Sequence, residues 1–147
     1  YSLLVFSDKV MYNFYKGGMK MQRDMELIRK ILFTIEEKYV DTWLHSSKIK
    51  IDGYDMKTIA YHCAILHDAG LVSDYKGNYS GNELSFFGVG RLTWAGHEFL
   101  DKIKNDTVWN KTKGVIKEKG IPFVLDAVKE IATAITTSMI QSAISGL

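Results

Sequence analysis

The chain has 147 residues, 46% of them apolar, which by size is one domain with enough apolar content for a proper core. A formal net charge of +2 and a pI near 8.6 are compatible with a nucleic-acid partner but far from the footprint of a strongly basic binder, so charge does not decide function. The single cysteine excludes an intramolecular disulfide framework and a multi-cysteine zinc knuckle, favouring a reducing, cytoplasmic setting, and there is no secretory signal of the usual build.

Residues 1–20, YSLLVFSDKVMYNFYKGGMK, show no clear period. Lys16-Gly17-Gly18 is compatible with a purine-rich ribosome-binding sequence in the coding DNA, with Met21 suitably placed downstream. The expectation is that Met21 is the natural start and residues 1–20 are translated leader. The alternative is a genuine extra strand or helix from Leu3 to Phe6 and Met11 to Phe14. From Asp24 onward Leu27, Ile28, Ile31, Leu32 and Ile35 repeat at helical spacing and predict a first core helix that stops near Tyr39. Val40-Asp41-Thr42 is a turn, and Trp43 and Leu44 offer apolar anchoring beneath a loop. Lys48 to Asp52 alternates strictly before Gly53, which predicts a short strand at the edge of a wing.

Asp55 is placed to cap a central helix from Met56 to Ala69. Ile59, Cys63 and Leu66 would be its buried stripe, with Lys57, Thr58, Tyr61, His62 and Ile65 towards the other side. Gly70 ends that helix, and Leu71 and Val72 continue as a strand. Between the strand and this helix there is no room for a further helix, which is either lost or replaced by a turn around Tyr54. Tyr75 to Gly81 carries turn formers at Gly77-Asn78 and Gly81-Asn82, and Leu84 to Leu92 returns, making a β-hairpin wing. Thr93 caps a helix from Trp94 to about Lys104, with Phe99, Leu100 and Ile103 towards the core. Gly96 in its first turn suggests close backbone contact with a neighbour.

Asn105-Asp106-Thr107 breaks the chain and caps a helix from Val108 to about Lys119, which carries Val108, Trp109, Val115 and Ile116 and ends at Gly120. Trp94 and Trp109 are read as core anchors. Pro122 suits the first turn of a last helix with Val124, Val128, Ile131, Ile135 and Met139 along one face. Its last 17 residues, Ile131 to Leu147, carry no charge, but their Thr, Ser and Gln content and a length below the ~20 residues of a bilayer span argue for a packing or dimerisation helix, not a membrane one. The expected fold is α+β: a winged helix-turn-helix core over residues 21–105, its second helix missing or reduced to a turn, and C-terminal helices over residues 106–147.

Two stretches, MQRDMELIRKIL (Met21 to Leu32) and RLTWAGHEFLDKIKNDTVWNKTK (Arg91 to Lys113), with YHCAILHDAGLV between them, resemble a domain-of-unknown-function family of small bacterial and prophage proteins. The resemblance covers about Met21 to Phe123, and the WNKTK block is its most specific piece. It implies a winged-helix fold and a phage or mobile-element context, and brings no activity, catalytic residue or ligand. The central stretch also resembles small bacterial winged-helix repressors, with Cys63 where those have Leu.

His62, Cys63 and His67 suggest a metal site, since Cys63 and His67 share a helical face, but two ligands are not a site where zinc ordinarily wants three or four, and Cys63 reads better as a small core residue. No nucleophile, paired-carboxylate or phosphate-loop arrangement stands out, so neither an enzyme nor a cofactor is expected. Two readings remain, a DNA-binding regulator that dimerises through its C-terminal helix and a protein-interaction adaptor that has kept the fold without the DNA. For the first, Tyr61 and His62 would face bases, with Thr58 beside them on the same helix and Lys57, Lys76 and Tyr79 at the backbone. Against it, residues 55–97 hold three basic and four acidic side chains, a net charge of −1.

Overall fold

The computed structural model describes residues 21–147, and the readings of residues 1–20 as leader or extra element lie outside these. Among the described residues the chain is α+β, with five α-helices and one three-stranded antiparallel sheet. Helix α1 (Met25–Lys38) starts where the Asp24 carboxylate accepts the backbone N–H groups of Glu26 and Leu27, and it buries Leu27, Ile28, Ile31, Leu32 and Ile35 as their spacing predicts. Strand β1 (Leu44–His45) runs into a 3₁₀ turn (Ser46–Lys48). Then follow α2 (Met56–Asp68), β2 (Tyr75–Ser80), β3 (Glu83–Val89), α3 (Trp94–Ile103), α4 (Asp106–Lys119) and α5 (Leu125–Ser145). The sheet order is β1-β3-β2, so the last strand lies in the middle.

The expected strand over Lys48 to Asp52 does not form, and its place beside β3 is taken by Leu44 and His45, paired with Val89 and Gly88. Trp43 lies across Gly88, where any Cβ would meet its Cε3 at 2.8 Å. The Ser46 hydroxyl then accepts the Phe87 N–H at 3.2 Å, substituting for the ladder as the backbone coils away. Ile49 is buried and Ile51 half-buried, so the alternation records anchoring of an irregular connection. That connection, a 3₁₀ turn and a tight turn at Gly53 (φ +87°), occupies the space between β1 and α2 where no helix fits.

The hairpin turns at Gly81-Asn82, where Gly81 takes a left-handed φ of +61°. Gly77-Asn78, read as a turn, lies instead within β2 opposite Phe87 and Phe86, with a register slip just after it. Val72 forms only an isolated bridge to Leu92. Gly96 does serve close approach: a Cβ there would sit 2.0 Å from the Leu71 carbonyl oxygen. Thr93 caps α3 and also donates its hydroxyl to the Gly70 carbonyl, tying α3 to the end of α2.

The two most specific stretches of the sequence turn out to pack on each other. Glu26 accepts the Trp109 indole N–H at 3.1 Å and pairs with Lys113, while Arg29 donates to the Ile103 and Lys104 carbonyls and to Asp106 at 2.7 Å. Arg29 thereby satisfies the orphan carbonyls that end α3 and joins α1 to the start of α4. Trp109 is buried as expected, but Trp94 is 81% exposed, because Phe99, Leu100 and Ile103 turn the opposite side of α3 to the core. Helix α5 begins at Leu125, so Pro122 lies in the connection before it and not in its first turn. Val128 and Ala132 bury its first half against α3 and α4. Its second half from residue 137 is exposed. Among the described residues no helix is long and apolar enough to cross a membrane.

Candidate nucleic-acid interface

Helix α2 is held by a network built from the residues around it. Asp55 caps it by accepting the Thr58 N–H at 2.8 Å, and Ile59, Cys63 and Leu66 bury its inner stripe. Burial pushes the Cys63 thiol up to about 12, so it stays a neutral, inert side chain.

His62 does not lie on the outer face. It is fully buried, with Nδ1 2.8 Å from the Thr58 carbonyl and Nε2 accepting the Asp24 N–H at 2.9 Å. The acceptor at one nitrogen makes the other the donor, which describes a neutral imidazole with its proton on Nδ1. A base-reading role needs a free polar edge, and both edges of this ring are committed to the fold. Asp24 continues the network: one oxygen caps α1 and the other accepts the Tyr54 hydroxyl at 2.8 Å. Burial first, then that hydrogen bond to Asp24, drives the Tyr54 pKa well above its ordinary value. The start of α1, the connection before α2 and α2 itself are thus locked together. Thr58 is buried as well, which removes a second expected contact.

Four of the six expected residues remain at the surface. Tyr61 projects from the middle of α2, and Lys76 and Tyr79 project from the hairpin, the latter 61% exposed. Lys57, in the first turn, sits 3.1 Å from Glu83 at the base of the hairpin turn. Both partners are solvated, so the pair orients the hairpin towards the start of α2 more than it stabilises the fold. Lys57, Tyr61, Ala64 and Asp68 form the outermost row of α2, one cation against one anion. Towards its C-terminal end the same helix lines a groove of about 370 Å³, in which Tyr61, Ile65 and Ala69 face Arg23, Phe123 and Leu125.

His67 is exposed and Cys63 buried, and among the described residues no group of three or more His, Cys, Asp or Glu is placed to hold a metal. A surface feature that the sequence reading missed is the row Arg91, Trp94 and His97, which lines a second cleft with Tyr39 and Glu36. The signal was present: measured from Phe99, Leu100 and Ile103, helical spacing puts Trp94 on the far side of α3.

The family model described as hypothetical protein (DUF2513) matches residues 22–122. An uncharacterized protein of Haemophilus influenzae (strain ATCC 51907 / DSM 11121 / KW20 / Rd) is 41% identical over 124 residues, covering 82% of this chain and 99% of that protein. No solved structure matches.

Proposed function

The chain belongs to the DUF2513 family, and we propose that it is a winged-helix module that binds duplex DNA as a regulator, in the setting of a phage or mobile element. One observation carries the reading. The order helix, strand, turn, helix, hairpin, with the third strand between the other two, sets the hairpin beside the start of α2, as a wing stands beside a reading helix. In this reading Tyr61 enters the groove, Lys76 and Tyr79 contact the backbone from the hairpin, and Lys57 shares its charge with Glu83. A chain with one cysteine needs no oxidising compartment, and the proposed site of action is the cytoplasm. Nothing in the reading calls for catalysis.

Few cations face the DNA, so binding is weak and shallow in its salt dependence, with a slope set by roughly two to four phosphates per subunit. Fluorescence anisotropy of the intact chain against mixed genomic duplex fragments at low salt tests it. Binding that falls with Lys76→Gln and Tyr61→Ala supports the reading, and no binding at micromolar protein overturns it. The balanced charge of Lys57 and Asp68 along the outer row of α2 favours one second reading, a protein-interaction adaptor without DNA.

Regulators of this build commonly read two half-sites, and the proposal includes a homodimer through α5. The contact expected along the C-terminal helix is confined to its outer part, because Val128 and Ala132 are already used within the chain. Met139, Ile140 and Ile144 in the exposed second half are the residues left for a partner.

A further inference from the structure

Arg91, Trp94 and His97 recur every third residue across the start of α3, and the fold uses none of their functional groups in its core. Around them Leu92, Phe99 and Leu100 are buried, Thr93 caps and Gly96 is pressed against Leu71, while Ala95 and Glu98 are exposed. Trp94 is 81% exposed, so the face of its indole is open to a stacking partner. All three side chains line one cleft of about 490 Å³ between the end of α1 and the start of α3, floored by Ile35 and Leu92.

The charges in that cleft are of both signs, and one cation lacks a carboxylate partner among the described residues. Glu36, its carboxylate, is already held by Lys104, with the His97 imidazole 3.9 Å away. The Arg91 guanidinium meets only the Leu92 carbonyl, at 3.2 Å, and no carboxylate pairs with it among the described residues. A ligand that uses both features is planar, to lie on the exposed indole, and anionic, to meet the Arg91 guanidinium. The cleft is open to solvent, so a ligand there keeps one side exposed.

We propose that this cleft binds a nucleobase carrying a phosphate, with the base stacked on Trp94 and the phosphate held by Arg91. The same chemistry is offered by a free mononucleotide and by single-stranded nucleic acid. Stacking on an aromatic ring tolerates any base, since every base has a π-face, so the cleft selects the class and not the sequence. It is separate from the duplex contacts proposed for α2 and the hairpin, and stands or falls without them.

The test uses the intact chain with two probes, adenosine monophosphate and a labelled oligothymidylate, reading anisotropy for affinity and tryptophan emission for stacking. Both are expected to follow Trp94: Trp94→Phe keeps most of the binding and loses the emission change, Trp94→Ala weakens binding by roughly tenfold or more, and Arg91→Gln lowers the salt slope by about one. Lys119→Gln, at the exposed end of α4, leaves it unchanged. Because Trp94 is exposed, its variants should melt as the wild type does, which separates lost binding from lost folding. Binding of the mononucleotide identifies a free nucleotide as sufficient, whereas binding of the oligonucleotide alone identifies the single strand. Inorganic phosphate competing as well as the nucleotide would remove the base from the proposal and overturn it. So would binding indifferent to Trp94→Ala, or no binding of either probe, and the cleft would then be open to a protein partner.

Discussion

Leu66 and Trp94 are both large apolar side chains on helices, yet one is 1% and the other 81% exposed, so truncation should separate them sharply. Leu66→Ala should cost ~2 to 5 kcal/mol, the range for large-to-small changes in a packed core. Trp94→Ala should stay within about 0.5 kcal/mol, as at other surface positions. Urea unfolding of both variants checks this, and comparable losses would place Trp94 in the core after all. His62 sits at the opposite pole from its expected role. His62→Phe keeps the bulk but takes the acceptor from the Asp24 N–H and the ring donor from the Thr58 carbonyl, a loss of about 1 to 3 kcal/mol in the same assay, with no effect on DNA affinity beyond that of lost folding. Both corrections were legible in spacing. Ile59, His62, Cys63 and Leu66 are positions i, i+3, i+4 and i+7 of one helical face, so His62 belongs to the buried stripe, while Trp94 stands across the helix from Phe99 and Ile103. What spacing does not carry is the partner: nothing in the residues near His62 names the Asp24 N–H, which comes from 38 residues away.

At the scale of elements, caps and periods were read well and sheet edges poorly, for a physical reason. A helix is specified by neighbours within a turn, so Asp55, Thr93 and Asn105 cap as their sequence context suggests, Asp24 does the same for α1, and Gly120 closes α4 with a left-handed φ of +63°. A strand is specified by a partner elsewhere in the chain. The alternation from Lys48 to Asp52 is equally compatible with a ladder and with two isoleucines pinning a coil, and only β3, whose Gly88 is covered by Trp43, decides against the ladder. The coil in place of a helix depends on Tyr54, whose hydroxyl reaches Asp24, and this gives a pH prediction. Tyr54 is raised above its ordinary value of 10.0, Tyr75 is pushed up to about 12 and Cys63 from 9.0 to about 12, each chiefly by burial. Groups whose pKa is raised on folding contribute stability that is whole below the unfolded value and lost as pH climbs towards the folded one. The melting temperature should therefore be level up to about pH 9 and fall between there and pH 12. Tyr54→Phe, melted in parallel, should lower stability near neutrality by about 1 kcal/mol and flatten part of the alkaline loss. An unchanged alkaline slope would mean that Tyr54 is exposed in solution.

For the whole molecule, the outcome turns on α5, a 21-residue helix of which only the first half has a home. Val128 and Ala132 are fully buried, Ile131 and Ile135 half-buried, and Lys102 reaches Thr133 at 3.0 Å. Beyond Ser138 the helix runs out with Ile140 53% and Ile144 61% exposed and no charge to keep it apart from a like surface. An isolated helical end of this kind is marginal in water, since most helical stability comes from packing one face. A second copy related by a two-fold axis is the occupant that the proposed regulator requires, because it would bury Met139, Ile140 and Ile144 against their own counterparts and set two α2 helices apart for a palindromic site. Truncation at Gly120 cannot test this, since it would strip Val128 and Ala132 from the core and unfold the chain whatever its oligomeric state. A chain ending at Ser138 keeps those anchors, and Ile140→Lys with Ile144→Lys keeps the full length while placing like charges face to face. Sedimentation equilibrium at tens of micromolar should give a dimer for the intact chain and a folded monomer for both variants, with melting of the monomers no longer dependent on protein concentration. An intact chain that sediments as a monomer would remove the two-fold arrangement from the DNA proposal, whereas variants that stay dimeric would move the interface off α5.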